Sequence, residues 1–193
     1  PFIQGALFAT VNAGVDLARD IQTGFLNRLA LTPMQSPALL IGHLGGVIVM
    51  GFVQAAWYLA VALVIGVRLE SGVAGALVLF LLAVLIVLAF GSFGALAALR
   101  TGSTEAVHSL FPVFFVFLFI SSMNLPRNLI ETDWFRTAAS LNPVSYLIEA
   151  IRSLVITGWN WEALGLGFSI AIVMSIVGLT LSSLALRTRM ART

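Results

Sequence analysis

Few residues in this chain could make or break bonds. The arrangement closest to a nucleophile and its base is Ser92, set in Phe90-Gly91-Ser92-Phe93-Gly94, with the two histidines His43 and His108. A serine nucleophile needs a histidine within hydrogen-bond reach. His43 and His108 fall toward the ends of apolar runs, whereas Ser92 lies inside one, so their depths do not match. Lone histidines at such positions fit helix packing better than a metal centre, and no second ligand is spaced for one. There is no cysteine, which removes thiolate catalysis, thiolate metal ligands and disulfides. There is also no lysine, so no Gly-x-x-x-x-Gly-Lys-Ser/Thr phosphate loop exists and ATP hydrolysis cannot reside here. No catalytic, cofactor-binding or metal-ligating residue is expected. The amides Asn12 and Gln54 are expected to pack between helices, and Gly42-x-x-x-Gly46 to mark a close helix contact. Glu149 and Arg152, three residues apart, can pair on one helix face.

The elements that would position these residues follow from composition. The 193 residues are 60% hydrophobic and 9% charged, with a mean hydropathy of +1.05. Soluble domains carry about 25% charged residues, so the expected fold class is an all-α polytopic membrane protein forming one transmembrane domain over 1–193. The net charge of +2 reflects a small arginine surplus, and nucleic acid is not an expected partner. Apolar runs at 2–17, 38–67, 73–99, 106–123 and 163–186 reach or approach the ~20 residues a spanning helix needs. Pro112 predicts a kink in the fourth. The chain begins at Pro1, and its first run is short. The expectation is an N-terminally truncated chain holding five spans of six.

Arg19 and Arg28, then Arg100, then Arg187, Arg189 and Arg192 fall on one side of this arrangement, which the positive-inside rule makes cytoplasmic, the C-terminus included. On that side, Leu17, Ile21, Phe25 and Leu29 recur every four residues beside polar neighbours. The spacing predicts an amphipathic helix over 17–31, closed by Thr32-Pro33 and Ser36-Pro37. Gly24 inside it would cost ~1 kcal/mol relative to alanine, which points to close backbone approach. The opposite side carries the half-polar stretch 124–161. There Asn142 can cap, and Pro143 can open, a helix reaching to about residue 156. That helix is too short to span and too apolar for water, so a re-entrant or outer-leaflet element is expected, with Trp134, Tyr146, Trp159 and Trp161 as interfacial aromatics.

The segment Asp20-Ile-Gln-Thr-Gly24-Phe-Leu-Asn27-Arg28-Leu-Ala-Leu-Thr32-Pro33-Met34 resembles the cytoplasmic loop of type-2 ATP-binding-cassette (ABC) exporter permeases. The Asn27-Arg28 and Pro33-Met34 pairs are most similar to the daunorubicin and multidrug resistance branch, from whose usage Asn27 and Phe25 depart modestly. Residues 119–158 resemble the same family's external region, with Asn124 and Pro126 ending a helix, Trp134 in a short amphipathic piece, and Asn142-Pro143, Tyr146 and Arg152 in a second helix. Thr132-Asp133-Trp134 replaces the family's usual Pro-Gly-Trp. The two signatures, in the right order on opposite sides, cover nearly the whole chain.

The resemblance implies a permease subunit of a bacterial ABC exporter in the plasma membrane, moving a hydrophobic or amphipathic drug, lipid or glycolipid outward. It implies a partner ABC ATPase that carries the ATP and Mg, and a second permease subunit, identical or not. By carry-over, Arg19, Asp20, Gly24, Phe25, Arg28 and Leu29 would couple to the ATPase. Asn124, Pro126, Trp134, Asn142, Pro143, Tyr146, Glu149 and Arg152 would form an external gate. The alternative is a self-sufficient membrane protein, such as a lipid-processing enzyme or channel, in which 16–34 only lies on the membrane.

Overall fold

The computed structural model describes residues 2–24, 36–67, 69–123 and 125–190. They form α1 (Phe2–Gln22), α2 (Ser36–Val64), α3 (Gly72–Thr101), α4 (Thr104–His108), α5 (Leu110–Phe119), a 3-10 turn (Arg127–Leu129), α6 (Asp133–Leu141), α7 (Pro143–Arg152), a π turn (Ser153–Thr157) and α8 (Trp161–Met190). Stretches of α2, α3 and α8 (Gly42–Val64, Gly72–Thr101 and Trp161–Arg189) are long and apolar enough to cross a membrane. The protein is an all-α, polytopic membrane protein. The expected 106–123 run is divided at Ser109, between α4 and α5. Pro112 accounts for the break, because it has no N–H to give the carbonyl of His108 and its ring crowds that carbonyl.

Helix α3 is central, packing against α1, α2 and α8. Its buried face runs from Leu82 and Ile86 through Phe90 to Ala98. Close approach depends on missing side chains. A Cβ on Gly94 would lie 2.7 Å from the Thr10 carbonyl oxygen of α1, and one on Gly178 of α8 would lie 1.9 Å from Ser92 Oγ. Hydroxyls join the same helices: Ser182 Oγ donates to the Ser92 carbonyl at 2.7 Å, and Ser175 Oγ donates to that of Leu85 at 3.3 Å. Ser92 itself donates to Ala89 O at 2.7 Å and is a packing residue. Polarity is inverted relative to a soluble protein, with hydroxyls of Thr10, Ser92, Ser175 and Ser182 inside and Met50, Phe52, Trp57, Val173 and Ile176 exposed. Lipid solvates such an apolar exterior, so small residues and hydroxyls, not water exclusion, hold the helices together.

Several expectations are corrected. First, 17–31 is not one helix. Residues 17–22 are the last turns of α1, which stops where the Gly24 N–H reaches back to Ile21 O and Gly24 takes φ +71°. Glycine is there for its left-handed conformation, since nothing among the described residues lies within 4 Å of the Cβ position. Phe25, Arg28 and Leu29 lie outside the described residues. Second, Ser36-Pro37 opens α2. Third, Gly42 and Gly46 make no close helix contact among the described residues, nothing lying within 4 Å of either Cβ position. Gln54 does pack between helices, its amide lying across Gly5 of α1, whereas Asn12 is exposed.

Substituting Gly94 with alanine should therefore lower the thermal midpoint in detergent by several degrees, at about 1–3 kcal/mol for overpacking. Gly42→Ala and Gly46→Ala should leave it unchanged or raise it. Circular-dichroism melting of the three purified variants checks this contrast.

Candidate functional site

The ends of α1, α3 and α8 meet at one end of the bundle. Gln22 Nε2 donates to Gly102 O at 3.2 Å, and Arg189 Nη1 donates to Leu99 O at 2.9 Å. Both acceptors belong to the C-terminus of α3, whose last carbonyls have no partner within the helix. Arg19, Arg100 and Arg187 are exposed nearby in sequence, and Arg19 lies 3.9 Å from Asp16. Of the residues expected to couple, Arg19, Asp20 and Gly24 thus occupy the last turn and cap of α1.

The opposite end holds a polar latch built by α5, α6 and α7. Asn142 Oδ1 accepts the Val144 N–H at 3.0 Å and caps α7, with Pro143 in the first turn. Its Nδ2 donates to Phe117 O of α5, so one side chain opens one helix and fastens it to another. The Ser122 N–H donates to Ser145 Oγ at 3.1 Å, and Ser122 Oγ to Ser145 O at 3.2 Å. Farther along, Ser71 at the start of α3 donates through Oγ to Leu154 O at 2.6 Å, a carbonyl exposed by the π turn at the end of α7. Gly167 lets α7 lie against α8, for a Cβ there would meet Ala150 Cβ at 2.4 Å.

Glu149 does not pair with Arg152. Arg127, brought in by the 3-10 turn, forms a two-pronged ion pair with it, Nε to Oε1 at 2.8 Å and Nη2 to Oε2 at 2.6 Å. The planar fork of guanidinium on carboxylate outcompetes the i,i+3 geometry. Glu149 holds Arg127 further above its ordinary range through these bonds. The guanidinium also sits 4.0 Å from the centre of the Tyr146 ring, whose hydroxyl donates to Ser140 O at 2.8 Å. Arg152 Nη2 instead donates to Ser122 O at 2.6 Å and Met123 O at 3.1 Å, closing the end of α5. Its Nη1 is buried and has no partner among the described residues, a deficit of about 1–3 kcal/mol. Arg136 donates through Nε to Ile130 O at 2.8 Å and lies 3.5 Å from Asp133.

These groups line a cleft of about 570 Å³ whose wall includes Pro126, Arg127, Arg136, Glu149, Arg152 and Glu162. The structure brings Pro126, Glu149 and Arg152 to it and sets Tyr146 behind Arg127. Trp134 is not among the residues that line the cleft and is 70% exposed, and Asn124 lies outside the described residues. Sequence reasoning missed Arg127, Arg136, Ser71, Ser122 and Ser145 as site residues. No spacing links Arg127 to Glu149, 22 residues on, or Ser71 to Leu154, so no local signal could have found them.

The side chains of Arg127 and Glu149 are only 23% and 18% exposed, so Glu149→Gln should destabilise by about 1–3 kcal/mol. A cycle with Arg127→Gln should return a coupling of about 1–2 kcal/mol, read from melting of the single and double variants.

No curated protein matches the chain. A family model described as ABC-2 type transporter matches residues 2–156, taking in α1 through α7 and thus both ends of the bundle. On that match, which covers most of its length, the chain belongs to the ABC-2 type transporter family.

Proposed function

We propose that this protein is the membrane-spanning permease subunit of an ATP-driven exporter that moves a hydrophobic or amphipathic substrate, a drug, lipid or glycolipid, out of a bacterial cell. Family membership carries the reading, since members are transmembrane permease components without a nucleotide-binding fold of their own. It implies pairing with an ABC ATPase, which would hold ATP and Mg, and embedding in a lipid bilayer. A second permease subunit completes the proposed unit. The resemblance of the Asn27-Arg28 and Pro33-Met34 pairs is the basis for proposing the daunorubicin and multidrug resistance branch.

Arginines at the shared end of α1, α3 and α8 support a cytoplasmic assignment for that end and for the C-terminus. There the proposed ATPase contact comprises Arg19, Asp20 and Gly24, continuing into Phe25, Arg28 and Leu29. The left-handed Gly24 supports a change of chain direction as α1 leaves the bundle, which would let a partner pull on α1 as on a lever. Because α1 packs along α3 and α3 along α8, a displacement of α1 would bias a two-state bundle through contacts that differ between its states. The external gate comprises the latch of α6 and α7, with Asn124, Pro126, Trp134, Asn142, Pro143, Tyr146, Glu149 and Arg152. Fastening of α7 to Phe117 at one end and to Ser71 at the other supports a re-entrant arrangement of 124–161, with its carbonyls satisfied by protein.

The test is co-purification of the protein in detergent with co-expressed ABC ATPases of the same genome, with and without Phe25→Asp combined with Arg28→Glu. The double change should abolish co-purification and leave helicity and melting intact. A folded protein that never retains an ATPase would overturn the exporter reading in favour of a self-sufficient membrane protein.

A further inference from the structure

The cleft beside the latch has more cationic donors than its own groups use. Three guanidiniums, from Arg127, Arg136 and Arg152, line it against two carboxylates, Glu149 and Glu162. Arg127 consumes Glu149 with both prongs. Arg136 is turned to Ile130 O and to an Asp133 side chain that is 94% exposed. Arg152 gives Nη2 to the carbonyls of Ser122 and Met123, and its buried Nη1 has no partner among the described residues. Glu162 makes no salt bridge among the described residues. The remaining wall adds hydroxyls of Ser153 and Thr157 and the amide of Asn160. Guanidiniums that share one cleft, each with more N–H groups than these bonds use, are suited to an oxyanion.

The surroundings of the cleft are those of a membrane interface. Trp159 and Trp161 flank Asn160 with ring centres 5.3 Å apart, and both are exposed. Tryptophan of this kind seats at headgroup level. Leu166 forms the cleft's apolar edge, and Val173, seven residues on along the same face of α8, is exposed. A cleft with charged side chains in its wall thus opens beside an apolar, exposed helix surface.

We propose that this cleft binds the phosphate-type headgroup of an anionic amphiphile, with the guanidiniums on the oxyanion and the tail along α8 past Leu166. The inference does not depend on coupling to an ATPase and survives if that reading fails. Phosphate is common to a lipid headgroup and to the free ion, so the test separates the two.

The probe is phosphatidylglycerol against phosphatidylcholine, with retention of each by the purified protein measured by native mass spectrometry and competition by inorganic phosphate as a second arm. Two variants alter the charge of the cleft and leave the latch bonds in place. Ser140→Glu adds a carboxylate at a residue that meets the latch through its backbone carbonyl, and Glu162→Gln removes one. Phosphatidylglycerol should be retained preferentially, roughly fivefold less by Ser140→Glu and roughly threefold more by Glu162→Gln, as one charge at cleft distances implies. Arg152→Gln should abolish the preference, and melting shows whether the turn at Ser122 survives it. Displacement by millimolar phosphate supports a site for the anion itself. Resistance to displacement, with the charge dependence intact, supports one that also needs the tail. Equal retention of the two lipids, or retention indifferent to both charge changes, overturns the proposal.

Discussion

A helix that ends away from bulk water leaves its last carbonyls without donors, and in a bilayer each such group costs several kcal/mol. Half of the long-range side-chain hydrogen bonds among the described residues answer that constraint. Arg189 and Gln22 reach the end of α3, Asn142 and Arg152 reach the end of α5, and Ser71 reaches the end of α7. Each donor comes from an element far away in the chain, so satisfying a local deficit fixes a tertiary relationship. The bundle is stitched at its ends by arginine, asparagine and serine and packed in its middle by glycine.

The middle works differently because lipid tails are as apolar as the side chains they touch, and burying leucine between helices brings little advantage. Contact must come from dispersion at short range, which Gly94 against Thr10 and Gly178 against Ser92 permit. Helix α5 is the exception. With no small-residue seam, it is held by aromatic contacts, Phe111 on Phe8 of α1 with ring centres 4.9 Å apart and Phe114 edge-on to Phe90 of α3 at 5.6 Å. A helix cut off at Ser109 and held by rings at one level and by Asn142 at another is connected to both the core and the latch.

The latch concentrates charge where the chain can least tolerate it unpaired. Arg127 and Glu149 neutralise one another in a two-pronged pair, and Tyr146 offers its ring face to the same guanidinium. Arg152 is used as a donor to backbone, a role that lysine could fill only in part because it lacks the planar fork. The absence of lysine from the whole chain and the recurrence of arginine at helix ends fit this use.

Composition and periodicity alone determined the membrane class, the five apolar runs in which helices form, the interruption near Pro112 and the Asn142-Pro143 start of α7. Each depends on a residue's own dihedral preferences or on hydrophobicity summed over a window, both local quantities. Tertiary structure decided the rest. Gly24 was legible as unusual, but whether it served close packing or a left-handed cap depended on whether a neighbour was present. Gly42 and Gly46 had the spacing of a packing seam, yet the seams formed at Gly94 and Gly178, where a partner helix passes. Glu149 had a local partner in Arg152 and took a distant one in Arg127, because a two-pronged pair is stronger than a single contact along a helix and the unpaired carbonyls of Ser122 and Met123 claimed Arg152. A sequence states what each group needs. Which group supplies it is set by the distances between helices, and those exist only once the chain has folded.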